Sequence, residues 1–240
     1  MTDTDRNRIL IIPDVHGRDF WKRTVEETSC DRIVFLGDYV DPYEEEGIDG
    51  DAALGCFFDV LDLKAKNPEK VVLLLGNHDL HYYSEQFCEL ACGSRYDEDL
   101  AVILSGLMSA HKNEFCLAHE EKVDGKRYLF THAGVTALWY KRHRRAIKEL
   151  TAEHLNHLLK TKRGVAALAE VGDIRGGDAP SGSMVWADSI EMRASVPLPN
   201  VYQIFGHSLQ KYEPIITAHY ACLDCRRAFL LDERGLLAIV

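Results

Sequence analysis

Short, wholly apolar runs alternate along the chain with longer stretches of helical periodicity. Residues 8–12, 32–36 and 71–75 are short strands, apolar after Arg8 and Arg32 at the heads of the first two, the pattern of strands covered on both faces. Between the first two, residues 19–28 predict a polar helix. Residues 49–66 carry Leu54, Phe57, Phe58, Leu61 and Ala65 at helical spacing, and Asn67-Pro68 ends the run. Leu100, Ile103, Leu104, Leu107 and Met108 mark a further amphipathic helix. Residues 115–123 and 126–131, joined by Asp124-Gly125, predict a hairpin. Helical sequence then runs over 136–170 with a break near 161–164, and 172–183 reads as a long loop of Gly, Asp and Ser. Strands are predicted at 201–205, 215–223, 228–232 and 236–240, the last two joined by a Glu233-Arg234-Gly235 turn. Strands alternating with helices give an α/β chain.

Composition narrows the class. With 240 residues, 46% hydrophobic and 28% charged, the chain can bury a sizeable core, and one domain over 1–240 is expected. No apolar run approaches the length of a membrane-spanning helix. The first residues, Met1-Thr2-Asp3-Thr4-Asp5-Arg6, are polar and lack a signal-peptide core. Seven cysteines without repeating spacing do not suggest a disulfide framework, so a reduced, cytoplasmic protein is expected. A net charge of -10 argues against nonspecific nucleic-acid binding, which rests on neutralising phosphates with Lys and Arg.

The chemistry collects where the strands end. Asp14/His16, Asp38, Asn77/His78 and His132 each follow a predicted strand directly, and His207 follows another. Each motif alone reads as a turn or cap, because Asp, Asn and Gly favour such positions. Their joint occurrence points to a metal site. Carboxylate with imidazole suits Mn, Fe or Zn, and two ions bridged by a carboxylate would hold a phosphate and lower the pKa of a water towards neutrality.

Pro13-Asp14-Val15-His16-Gly17, Gly37-Asp38-Tyr39-Val40-Asp41, Gly76-Asn77-His78-Asp79, His132-Ala133-Gly134 and Gly206-His207-Ser208 together resemble the motif set of the calcineurin-like metallophosphoesterases. The second motif and the absence of a further His after His207 are similar to the serine/threonine protein phosphatase (PPP-type) branch. The resemblance implies an α+β fold: a β-sandwich flanked by helices in α/β/β/α layers, with a dinuclear site at the strand ends. It implies Asp14, His16, Asp38, Asn77, His132 and His207 as metal ligands, with Asp38 bridging, and two divalent ions, Mn foremost with Fe or Zn as alternatives. It also implies that His78 protonates the leaving oxygen and Asp41 orients it, since a carboxylate beside an imidazole favours the proton-donating ring. The expected function is metal-dependent hydrolysis of a phosphomonoester, by in-line attack of an activated hydroxide, on a phosphopeptide, phosphoprotein or nucleotide. A diadenosine-polyphosphate hydrolase is the runner-up, because Gly76 to His81 and Thr131 to Gly134 also resemble that bacterial branch. A non-catalytic scaffold on the same fold is the third reading.

One position departs from the pattern. Where the PPP branch has a phosphate-clamping arginine after the second Asp, this chain has Pro42, which offers no fork of donors. Arg193 is the expected replacement, with Arg95 and Arg175 as further candidates. Glu44-Glu45-Glu46 and Lys141-Arg142-His143-Arg144-Arg145 read as solvated surface. Cys222-x-x-Cys225 lacks the flanking ligands of a zinc site.

Overall fold

A computed structural model describes residues 7–91 and 94–239. The polar N-terminal hexapeptide and Val240, the last residue of the final predicted strand, lie outside them. In chain order the elements are β1 (Ile9–Ile12), α1 (Phe20–Glu27), β2 (Arg32–Phe35), α2 (Gly50–Lys66), β3 (Val71–Leu74), α3 (Asn77–Tyr83), α4 (Glu85–Cys88), α5 (Ala101–Ala110), β4 (Phe115–Cys116), β5 (Ala118–Val123), β6 (Lys126–Thr131), α6 (Ala137–Ile147), α7 (Ala152–Asn156), α8 (Lys162–Leu168), α9 (Ser189–Ala194), β7 (Tyr202–Phe205), β8 (Ile215–Ile216), β9 (Tyr220–Cys222), β10 (Ala228–Asp232) and β11 (Gly235–Ile239). They form two mixed sheets flanked by helices, the α+β class implied by the motifs. The residues group into two compact units, each built on one sheet.

The first unit comprises residues 8–116 and the C-terminal strands. Its sheet runs β11-β10-β1-β2-β3-β4, with β1 to β4 parallel and β10 antiparallel to β1. Ile9, Leu10, Ile11 and Ile12 are fully buried, so both faces of β1 are covered. Burial on this scale stabilises by about 1.5–3 kcal/mol per side chain. The α2 helix starts where the Asp49 carboxylate accepts from the N–H of Ala52 (2.8 Å), and it buries Ala53, Cys56, Phe57, Val60 and Leu61. The apolar stripe is therefore rotated from the one expected: Phe58 is 48% exposed.

The second unit, residues 117–225, carries the sheet β5-β6-β7-β9-β8. The predicted hairpin is confirmed for β5 and β6, but Phe115 and Cys116 leave it and pair in parallel with Leu73 and Leu74. The chain changes sheet at Leu117, whose N–H donates to Asn156 Oδ1 (2.7 Å). The long helical stretch breaks at Lys148, where φ is 62°, as well as near residue 161. Trp139 ties the pieces together: it is fully buried and its Nε1–H donates to the Ala167 carbonyl at 3.0 Å. The basic run lies on α6, with Arg142 and His143 paired to Glu170. No disulfide joins the described cysteines, and no described helix is long and apolar enough to cross a membrane.

Candidate active site

Three parallel strands of the first unit end side by side, which is why residues far apart in sequence meet. Ile12, Phe35 and Leu73 occupy neighbouring register positions, and the loops after them carry Asp14/His16, Asp38/Asp41 and Asn77/His78. The backbone bends sharply here. His16, Asp38 and Asp41 have φ of 45°, 53° and 57°, a left-handed conformation that costs a side-chain-bearing residue energy and collects at functional sites. The loops also touch. A Cβ on Gly76 would stand 2.1 Å from Asp38 Oδ1, and one on Gly37 would stand 2.4 Å from the Gly76 nitrogen. Only glycine permits that approach.

Asn77 and His78 are not in an isolated turn, the reading of their motif alone, but in the first turn of α3. The element was missed because its signal lies in Asp79, read only as the end of the motif. Asp79 is fully buried, and its Oδ2 accepts from the N–H groups of Gly76 (2.7 Å) and Asp38 (2.7 Å), while Oδ1 accepts from Tyr39 (2.9 Å). One carboxylate thus caps the helix and ties its head to the loop of Asp38 and Tyr39. His78 N–H in turn donates to Asp38 Oδ1 at 3.0 Å.

Asp14, His16 and Asp38 are buried, and each offers a ligand atom within 4.8 Å of the other two. His16 Nδ1 donates to the Val40 carbonyl (2.8 Å), which leaves Nε2 without a proton, 3.5 Å from Asp38 Oδ2. Burial holds this imidazole well below its usual pKa, against the opposing pull of Asp38. A neutral nitrogen lone pair facing a carboxylate is repulsive unless a cation lies between them. The donor set therefore fits a divalent ion of the Mn, Fe or Zn type.

His78 Nδ1 lies 2.7 Å from Asp41 Oδ2, and the His16 and His78 rings stand 5.3 Å apart. The other oxygen of Asp41 accepts from the Tyr82 hydroxyl (2.5 Å), which itself accepts from the Asp97 N–H (2.8 Å). Tyr82, one helical turn beyond His78, was not anticipated. Burial and the Asp41 charge push its phenol pKa up, so it remains a donor.

In the second unit His132 and His207 follow β6 and β7, which are parallel neighbours. Both are buried, His132 Nε2 lies 3.1 Å from His207 Nδ1, and φ at His207 is again left-handed at 65°. Arg175 donates to the His207 carbonyl (3.3 Å) and Ser208 Oγ (3.0 Å), and pairs with Asp188. Arg193 is exposed in the last turn of α9, where its charge acts on Tyr220.

Residues 7–211 match the calcineurin-like phosphoesterase family. The chain belongs to that family. Its fold is shared with solved structures of low sequence identity. One is a cold-active protein tyrosine phosphatase, with 17% identity, a TM-score of 0.59, and 97% of this chain and 75% of that one covered. Another is a Saccharomyces cerevisiae protein serine/threonine phosphatase with similarity to human phosphatase PP5, with 12% identity, a TM-score of 0.56 and coverage of 99% and 80%. This calcineurin-like phosphoesterase carries the carboxylate and imidazole donors that its family's dinuclear metal chemistry requires. Phosphoester hydrolysis is its reaction class.

Proposed function

We propose that the chain is a PPP-like phosphomonoesterase acting on phosphorylated peptides or proteins, with Mn²⁺ as its ion. Asp14, His16, Asp38 and Asn77 act as metal ligands in the first unit, and His132 and His207 do so in the second. The observation that carries the reading is the His78–Asp41 pair at 2.7 Å, standing next to the Asp14/His16/Asp38 cluster. A proton donor beside a cation cluster is the pairing that phosphate-ester cleavage needs.

When bound, the ions supply a water acidified towards neutrality and positive charge for the phosphoryl oxygens. The remaining work falls to the protein. Asp41 accepts from His78 Nδ1–H, which fixes the ring and leaves Nε2 as the atom that hands a proton to the departing alkoxide. Tyr82 holds Asp41 from its far side, so the carboxylate cannot turn away from His78. Asp38 accepts the backbone N–H of His78, which sets the distance from the acid to the cluster.

The test is phosphate release by metal-stripped protein with and without added Mn²⁺. p-Nitrophenyl phosphate, phosphoserine and phosphotyrosine peptides and diadenosine tetraphosphate serve as substrates, and Asp38→Asn as control. Mn-dependent release from the monoesters, lost in the variant, is expected. Preference for the dinucleotide would replace the substrate class by a nucleotide, and no turnover of any substrate would remove His78 from its role.

A further inference from the structure

Arg95 makes contacts unlike those of other arginines in the structure. Its guanidinium carbon lies 3.7 Å from the centre of the Tyr43 ring, and its Nε–H donates to the Asp41 carbonyl at 3.0 Å. Its Nη2 reaches 3.4 Å from His16 Nε2 and 3.5 Å from His78 Nε2. The end of the fork therefore points between the metal-ligand histidine and the proton-donating histidine. Arg18, Arg142, Arg175 and Arg234 are each paired with a carboxylate. Among the described residues no carboxylate forms an ion pair with Arg95. A half-buried guanidinium set against two imidazoles and in no ion pair keeps donors for an anionic ligand.

We propose that Arg95 is the phosphate clamp of this enzyme, its guanidinium taking two oxygens of the substrate's phosphate in place of the arginine that Pro42 displaces. The inference rests on the phosphomonoesterase reading above. A planar fork matches the spacing of two phosphate oxygens, which a lysine ammonium cannot do. Tyr43, immediately after Pro42, is the positioning residue: its ring fixes the plane of the guanidinium, and the Asp41 carbonyl fixes its rotation. The clamp thus enters from a different stretch of chain from its usual place in the motif, but is tied back to that motif by two contacts. Arg193, exposed on α9, is not needed for this role.

The test uses full-length Mn-loaded protein with inorganic phosphate as the probe, by titration calorimetry, alongside p-nitrophenyl phosphate kinetics and metal analysis. Arg95→Met should weaken phosphate binding and raise KM by about ten- to a hundredfold at unchanged metal content. Arg95→Lys, which keeps the charge, should restore only part of the affinity. Tyr43→Ala should raise KM more than it lowers kcat, and Tyr43→Phe should restore it. Phosphate affinity unchanged in Arg95→Met, or lost in Arg193→Met instead, overturns the proposal. If the unaltered protein hydrolyses nothing yet binds phosphate in an Arg95-dependent way, the clamp stands and the hydrolytic reading falls.

Discussion

Replacing Asp79 by Asn tests whether one carboxylate holds the head of α3 to the loop of Asp38 and Tyr39. The side chain is fully buried and accepts three backbone N–H bonds, from Gly76, Asp38 and Tyr39. An amide has one acceptor oxygen. If that oxygen serves Gly76 and Asp38, as Oδ2 does now, the new amide group faces the Tyr39 N–H, donor against donor. One charge-assisted bond is then lost, worth about 1.5–3 kcal/mol, and two others weaken to neutral strength. Removing a buried charge works in the opposite direction. For a carboxylate already solvated by three N–H groups, however, the desolvation relieved is smaller than the bonding forfeited.

The expected outcome is a loss of about 2–4 kcal/mol, a large part of the 5–15 kcal/mol that holds typical domains folded. It should be measured by urea unfolding of metal-stripped protein, so that linkage to ion binding does not enter. Mn²⁺ affinity should fall in parallel, because Asp79 ties the loop of Asp38 to the head of α3, where Asn77 sits. A midpoint shift equivalent to less than about 0.5 kcal/mol, the range of an ordinary surface change, would refute the reasoning.

His78→Asn should reduce kcat on a phosphoserine peptide by about 10²–10⁴, the range for a positioned proton donor. p-Nitrophenyl phosphate should suffer less, since nitrophenolate leaves without a proton; an equal loss on both substrates would count against the acid role. Burial, with the His78 charge adding to it, lowers the His81 pKa from 6.5 to about 4. The unfolded chain therefore takes up this proton first. The contribution is complete above pH 6.5 and is lost as pH falls from 6.5 towards 4, by about 3 kcal/mol at 1.36 kcal/mol per unit. His81→Gln should flatten the urea stability profile between pH 7 and 4.5, and a profile as steep as before would show that the proton goes elsewhere.

These strands were legible because burial on both faces writes an unbroken apolar run, as in residues 9–12 and 33–36. The motifs were legible because glycine and charged residues interrupt those runs where the strands end. Two kinds of feature were not. The head of α3 was hidden because Asn77-His78-Asp79 has the composition of a turn, and the residue that makes it helical acts through bonds to a loop about 40 positions earlier. Phe115-Cys116 read as part of a hairpin because apolar pattern does not say which sheet a strand joins. In the site, the His78–Asp41 pair came from the motif resemblance. Tyr82 and Arg95 carry no motif, and their roles follow from which loops fold against one another.

The left-handed backbone at His16, Asp38, Asp41 and His207 shows how the fold bears the cost of the site. Asp and His are found in that conformation more often than most residues, but it still costs a side-chain-bearing residue energy. The strands that lead into these loops, β1, β2 and β7, are buried apart from the half-buried Arg32, so the backbone enters each loop from a fixed direction. Holding ligands in strained turns requires a rigid base, and a sheet with both faces covered supplies one. Replacing Leu10 or Ile204, both fully buried a few residues before Asp14 and His207, by Ala should therefore loosen the turns as well as the core. Such a substitution costs about 2–5 kcal/mol in comparable cores. Stability and ion affinity should decline together in these variants, because the same strands carry both.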